Sequence, residues 1–366
     1  MSYVNKESCV KRLMKTRSLK GFAQEFLLPN MAGQKLFLYN ENIPRVINIS
    51  FNEKTCMYSC RMCPYSEKEV RSHYRKASEM DFETLERLVA AVPNDPYYSF
   101  DISAIGETLE FKPLAEFITY MKQQKPLVNT IISTNAVLLT TDVAERLFKS
   151  GLDSIQFSLY AQNAENHEHI TGTKTFERVK KNILATTELR KNYNGKTPFL
   201  QAFMIECKEN SHSSEAFVDF WSQHVDQAFL RPMYNVGRSI EGMTPMFEEP
   251  DNQKRYPCVM PWYSTAVRSN GDVLPCYMYH WSEEGWNASL GNLKESTLAE
   301  IWQTEAFTKM REAHLNLDLA DYPICQRCNL WNAYTNIWRE TRPDSFLYEG
   351  IKLADFFDKV EGHRGG

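Results

Sequence analysis

No run of about 18 apolar residues occurs anywhere in the 366-residue chain, so no membrane-spanning helix is expected. Positive charge is not in excess either. The 42 Lys and Arg against 46 Asp and Glu leave a formal net charge of −4, which argues against a broad nucleic-acid surface. Residues 1–30 are charged and lack the apolar stretch of a secretory signal. A disulfide framework is not expected, because the nine cysteines are odd in number and clustered by short spacings. That usage points to metal binding in a reducing compartment, the cytoplasm. The length allows two or three domains, or one large domain with an appendage.

What is present begins with Cys56, Cys60 and Cys63. Three residues separate the first two and two residues the last two. A hydrophobic stretch at 46–51 runs into them and reads as a buried strand, so the cysteines lie on the loop that leaves it. Three thiolates on one short loop can wrap one face of a soft metal centre. A four-iron cluster usually takes four cysteines, and no fourth lies nearby, so one iron would stay open to a small ligand. Zinc, which usually takes four protein ligands in structural sites, and inert thiols are the rival readings.

From 46 onward, apolar strands alternate with amphipathic helices. Strands are expected at 46–51, 97–103, 127–133, 154–159, 199–205 and 227–231. Helices are expected at 81–92 with Asp81 as N-cap, at 113–123, at 142–149 with Gly151 stopping it, at 174–191 and at 214–223. Six such alternations imply an α/β fold with parallel strands and right-handed crossovers. In parallel barrels the chemistry gathers at the C-terminal strand ends, and the cysteine loop is at such an end.

Four further cysteines follow. Cys258 and Cys276 flank an expected hairpin, with strands at 265–268 and 273–274 around Asn270-Gly271. Cys325 and Cys328 form a Cys-x-x-Cys pair after Gly291-Asn292-Leu293 and a helix at 297–314. Four cysteines can close an iron–sulfur cluster, and all-cysteine zinc is the local rival. The expected organisation is an N-terminal arm at 1–45, a barrel at 46–240, a polar, acidic linker at 241–257, a cysteine domain at 258–335 and a C-terminal segment at 336–366. That last segment carries a helix at 345–360, expected to pack on the body.

These motifs resemble the radical SAM superfamily with a C-terminal SPASM/twitch extension. The resemblance implies a partial (β/α)6 TIM-like barrel followed by a small α+β domain. It also implies that Cys56, Cys60 and Cys63 hold a 4Fe–4S cluster whose open iron chelates S-adenosylmethionine (SAM), which is then cleaved to a 5′-deoxyadenosyl radical. Cys258, Cys276, Cys325 and Cys328 would hold one auxiliary 4Fe–4S cluster, as in the shortened twitch type, since no cysteine follows Cys328. Gly106 and Glu107 match the end of the Gly-Gly-Glu motif, with Glu107 placed to hold the SAM ammonium and Ile105 replacing the first glycine. Ser133 and Asn135 resemble the Thr-Asn-Gly that ends strand three, with Ala136 in place of its glycine. Ser158 resembles a contact to the SAM ribose or carboxylate, Gln201 an inward-facing position, and Met62 stands where an aromatic residue often lies near adenine. Taken singly, Gly-Glu and Ser-Thr-Asn read equally as turns or caps.

The hairpin spacing is shared with the 2-deoxy-scyllo-inosamine dehydrogenase type, which implies a small polar substrate of the sugar or aminocyclitol class. Oxidation or epimerisation would follow, with electrons from a flavodoxin- or ferredoxin-type reductant. The enzymatic alternative is a peptide- or protein-modifying maturase, although the arm at 1–45 is short for a separate peptide-recognition domain. The non-enzymatic alternative is an iron–sulfur electron carrier or a zinc-stabilised binding module. Cys207 is a candidate hydrogen donor for epimerisation, or a buried structural cysteine. Arg231 and Tyr234 could bind substrate or steer a proton, a barrel-end salt bridge being the rival for Arg231. Tyr160 and His169 are weaker candidates.

Overall fold

The computed structural model describes residues 42–103, 105–193, 197–234, 254–281, 283–332 and 338–348. Six parallel strands form the body: β1 (Val46–Ile49), β2 (Ser99–Ile102), β3 (Asn129–Thr134), β4 (Ser154–Leu159), β5 (Phe199–Glu206) and β6 (Gln227–Pro232). The fold is the expected α/β partial barrel, followed by a small C-terminal domain. Period-two patterning sets the faces. In β4, Ile155, Phe157 and Leu159 are buried against the helical layer, while Ser154, Gln156 and Ser158 lie on the other, half-buried face.

The helices follow their predicted caps. The helix Phe82–Ala91 begins where Asp81 accepts a hydrogen bond from the Thr84 N–H at 2.8 Å. The helix Thr141–Lys149 ends at Ser150, followed by Gly151 at φ +82°, a left-handed position that suits glycine. Two short helices, Lys68–Tyr74 and Ala164–Thr171, were not expected. The second buries only His167, Ile170 and Thr171, too few apolar positions to declare a period.

The expected hairpin forms as β7 (Ser264–Val267) and β8 (Val273–Leu274). It does not stand apart from the barrel. β7 pairs in parallel with β1, and the eight-stranded sheet runs β6-β5-β4-β3-β2-β1-β7-β8. The main core is shared in the same way: Leu298, Ile301, Trp302 and Phe307 pack in one cluster with Ile47, Phe100 and Ile132.

Two helical expectations need correction. The helix placed at 297–314 is two helices, Leu298–Trp302 and Glu305–Leu315. At the break, the Thr304 hydroxyl donates to the Ile301 carbonyl at 2.8 Å and Arg311 Nη2 donates to the Trp302 carbonyl at 3.1 Å, so side chains take carbonyls that an unbroken helix would use. The helix placed at 345–360 begins instead as a strand. Trp338–Arg342 and Ser345–Tyr348 pair antiparallel as β9 and β10, around a turn with Asp344 at φ +54°. The remainder of that helix, most of the arm at 1–45 and residues 241–253 of the linker lie outside the described residues.

Because Trp302 is wholly buried in the core shared by both modules, Trp302→Ala should cost about 3–5 kcal/mol. Urea denaturation followed by tryptophan fluorescence and circular dichroism should still show one transition. Two separate transitions in the unmodified protein would contradict a shared core.

Candidate active site

The cysteine triplet lies on the loop leaving β1, and the two unexpected helices hold that loop in place. The Ser59 and Arg61 N–H groups donate to the carbonyls of Thr171 and Ile170 at 3.0 and 2.9 Å. Arg71 Nη2 donates to the Tyr58 carbonyl at 3.2 Å and to Ser59 Oγ at 2.8 Å. The Tyr58 hydroxyl lies 3.1 Å from Thr175 Oγ1 and 3.4 Å from His167 Nε2. Cys60 is buried and Cys56 and Cys63 are half-buried. Burial, then the charges of Cys63 and Cys56, push the Cys60 thiol well up. Burial, then the Glu107 carboxylate, push Cys56 up to about 12. Thiols so placed are not stable as free thiolates, and a soft metal centre is the partner that would make them so. At the end of β4, burial followed by the charges of the same three cysteines raises the Tyr160 hydroxyl well above its ordinary value.

Gly106 and Glu107 close the β2 end onto this loop. Gly106 has φ +85°, and a Cβ there would come within 2.8 Å of the Asn52 carbonyl oxygen, so only glycine fits. The Glu107 N–H donates to the Thr55 carbonyl at 2.8 Å. Its buried carboxylate accepts from Thr134 Oγ1 at 2.5 Å, the Asn135 N–H at 3.0 Å and the Leu109 N–H at 3.1 Å. Burial raises its pKa, and these three hydrogen bonds oppose the rise. Asn135 Oδ1 accepts from the Val137 N–H at 3.0 Å, while its buried Nδ2 has no partner among the described residues. Such an orphaned donor fits a bound polar ligand. Ala136 adopts φ +61°, the left-handed backbone that glycine takes more easily. Met62, within the triplet loop, is buried in the main core.

A ladder of amides crosses the strands at one register level. Ser133 pairs with Gln156, Gln156 with Gln201, and Gln201 with Gln227. Their side chains are joined too: Ser133 Oγ to Gln156 Oε1 at 3.4 Å, Gln156 Nε2 to Gln201 Oε1 at 3.1 Å, and Gln201 Nε2 to Gln227 Oε1 at 2.6 Å. Arg231 Nη2 donates to Gln156 Oε1 at 3.0 Å, and its guanidinium lies 4.0 Å from the Phe203 ring centre. Ser158 shares the Gln156 face of β4. Asp101 in β2 is raised by burial, against the Ser103 hydroxyl and the Arg231 charge. Gln156 and Gln227 escaped the sequence reading, although polar residues at alternate positions of neighbouring strands were the available signal.

Three other candidates lie elsewhere. Cys207 is wholly buried in the main core, and burial pushes its thiol up to about 12. Its backbone is fixed by a turn in which Asn210 Oδ1 accepts from the Cys207 N–H at 2.9 Å. Tyr234 packs against the second core, around the C-terminal cysteines. His169 is exposed and only its backbone carbonyl meets the triplet loop, accepting from Arg61 Nε at 2.9 Å.

Cys258, Cys276, Cys325 and Cys328 line one cavity with Met260, Met278 and other apolar residues, and no carboxylate among the described residues lines it. Burial, then mutual repulsion, raise Cys276 well above the ordinary thiol range. Four sulfur donors suit a soft metal. The His314 ring lines the same cavity, its Nδ1 accepting from the Cys258 N–H at 3.4 Å. Burial, then the charge of Arg255, lower His314 to about 3 and keep it neutral. Among the described residues, no three His, Cys, Asp or Glu side chains are gathered closely enough to chelate a single metal ion.

A buried polar contact joins the two modules. His280 Nδ1 lies 3.5 Å from Glu53 Oε1, and the Tyr74 hydroxyl donates to the His280 carbonyl at 2.6 Å. Burial lifts Glu53 to about 7 against the charge of Arg268, and burial lowers His280 to about 3. No local motif announces a pair drawn from residues so far apart in the chain.

A family model for the radical SAM superfamily matches residues 54–197, and one for the SPASM iron–sulfur cluster-binding domain matches residues 258–329. The chain is a radical SAM protein with a SPASM domain. Its cofactors are accordingly a 4Fe–4S cluster, SAM and auxiliary iron–sulfur chemistry. Similar proteins include the tungsten-containing aldehyde ferredoxin oxidoreductase cofactor-modifying protein of Pyrococcus furiosus, 23% identical over 331 residues, covering 76% of this chain and 85% of that protein. Among solved structures, BtrN in complex with AdoMet and 2-DOIA is 20% identical with a TM-score of 0.52, covering 83% of this chain and 99% of BtrN. Streptococcus suis SuiB bound to its precursor peptide SuiA is 16% identical with a TM-score of 0.53, covering 94% and 87%. These structures share the fold of this radical SAM chain. No helix among the described residues is long and apolar enough to cross a membrane.

Gly106→Ala should destabilise the protein by at least about 1–2 kcal/mol from the left-handed backbone alone, with reduced iron retention after anaerobic purification. An unchanged melting temperature and iron content would show that the β2 end does not need its close approach to the loop. Glu53 titrates higher in the folded chain than its ordinary 4.5, so its contribution is full below that value and is lost as pH rises through about 7. Stability measured between about pH 5 and pH 8 should therefore fall less in Glu53→Gln than in the native protein. Equal slopes would remove Glu53 from the account.

Proposed function

We propose that this chain is a radical SAM oxidoreductase that acts on a small, hydroxyl- or amine-rich molecule of the sugar or aminocyclitol class. In this reading Cys56, Cys60 and Cys63 hold the SAM-binding cluster, and Cys258, Cys276, Cys325 and Cys328 hold one auxiliary cluster. A four-iron cluster binds each cysteine through a different iron. Four sulfurs lining one largely apolar cavity suit it. When bound and reduced there, the cluster with SAM would supply radical chemistry able to take hydrogen from an unactivated carbon.

The chain's own residues then have distinct tasks. Asn135, with a free buried donor, and Glu107, fixed by its three hydrogen bonds, would orient the polar groups of SAM, with Met62, Gly106, Ser133 and Ser158 around it. The single observation that carries the substrate class is the ladder Ser133–Gln156–Gln201–Gln227 with Arg231. Neutral amides beside one cation offer many hydrogen bonds in a confined space, which suits a polyol or amino sugar. Phe203 and Phe229 beside Arg231 would help to keep water from the reacting carbon. Epimerisation through Cys207 is less supported, because that thiol lies in the core. A peptide substrate is the second reading, favoured by the likeness to SuiB, which was solved with its precursor peptide.

Anaerobically purified protein should contain about eight irons per chain, from two four-iron clusters, and reductively cleave SAM. Cys60→Ala should abolish cleavage and leave about four irons. Transfer of deuterium into 5′-deoxyadenosine from a labelled aminocyclitol or sugar, and not from peptides, is the expected substrate result. Cleavage that persists in Cys60→Ala would sink the assignment of the first site, and deuterium transfer only from a peptide would replace the substrate class.

A further inference from the structure

We propose that Tyr279 and Arg255 raise the reduction potential of the auxiliary centre and so set it to accept electrons. This rests on the reading that the four C-terminal cysteines hold that centre. The Tyr279 hydroxyl lies 3.4 Å from Cys325 Sγ, and both residues line the cavity. A phenol in apolar surroundings keeps its proton, so against a metal-bound thiolate the O–H is the donor and the sulfur the acceptor. Arg255 grips the backbone that carries the same cysteine: Nη2 donates to the Cys325 carbonyl at 2.5 Å and Nη1 to the Gln326 carbonyl at 2.9 Å. Its guanidinium also lies 5.6 Å from the Trp331 ring centre.

The physical argument is one of charge. Reduction adds one negative charge to an iron–sulfur centre, spread over its sulfurs. An O–H···S hydrogen bond and a permanent cation both favour the reduced form over the oxidised one. The walls are largely apolar and no carboxylate among the described residues lines them, so low dielectric magnifies both effects and no lining anion offsets them. The Leu330 N–H, 3.5 Å from Cys328 Sγ, adds a weaker contribution of the same sign.

The test is a potentiometric titration of the full-length, anaerobically prepared protein, with dithionite as reductant. Electron paramagnetic resonance would separate the auxiliary signal from the other by its indifference to SAM. In Tyr279→Phe, at the potential where the native auxiliary centre is half reduced, the ratio of reduced to oxidised centre should fall at least about threefold, where tenfold corresponds to 59 mV for one electron. Arg255→Gln should shift it the same way and Arg255→Lys should restore most of the loss, while the SAM-responsive midpoint stays fixed. Two assembled clusters with ratios inside about threefold of native would overturn the proposal. Should the variants fail to assemble, the native protein decides: its auxiliary signal must show a hyperfine-coupled proton that exchanges in D2O, and absence of that proton overturns the proposal. A native protein with only the SAM-responsive cluster would instead overturn the reading on which it rests.

Discussion

A four-residue strand with parallel neighbours on both sides is the constraint that everything else answers to. β1 pairs with β2 on one side and β7 on the other, and Asn48 Nδ2 donates to the Thr265 carbonyl at 3.1 Å in the interior. The cysteine triplet leaves the C-terminal end of this strand. β7 and β8 lie between Cys258 and Cys276, so the second sulfur set is anchored to the same sheet edge. A one-residue slip of β1 would turn every side chain to the wrong face and displace both sets together. The shared core of Trp302 and Phe307 with Ile47 holds the register from the other side.

The electrostatics of the two sulfur sites follow from that packing. Burial raises Cys60 and Cys276, and neighbouring thiols raise them further. Free thiolates are therefore unfavourable at both places, and metal binding is the means by which the folded chain can hold sulfur in that form. The sites differ in their surroundings. Around the triplet, Glu107 contributes negative charge and Asn135 an unsatisfied donor. Around the second set, Tyr279 and Arg255 contribute donors and positive charge. The same thiol chemistry thus meets a carboxylate at one site and a phenol and a guanidinium at the other.

Most of the barrel was legible because its signals are local. The strand at 154–159 and the cap at Asp81 are carried by adjacent residues, and each matched its expectation. The cysteine spacing also announced both sulfur sets. The rest depended on contacts between distant segments. Pairing of β7 with β1 is decided by packing some 217 residues apart in sequence, and no pattern within 264–267 reveals it. Glu53 meets His280 for the same reason. The break at Gln303-Thr304 was hidden because apolar period continues through it, while Arg311 rescues the freed carbonyl from outside. The segment at 345–348 shows apolar residues compatible with either helix or strand, and the turn at Asp344 settles it in favour of the strand.

The amide ladder has a direction. Gln156 and Gln201 each give an N–H toward β6 and each receives a donor on its oxygen, and Arg231 and Ser133, both donors to Gln156 Oε1, fix the first amide. Turning any one glutamine over would oppose two like atoms at the next rung, so the row holds a single orientation. The inner wall is therefore a polarised template with unequal ends. A flexible molecule with a symmetrical set of hydroxyl groups would meet different partners at each end, and such a wall can tell apart two carbons that are chemically alike. Prochiral selection would then be written into the hydrogen-bond order of the strands before any loop closes over the substrate.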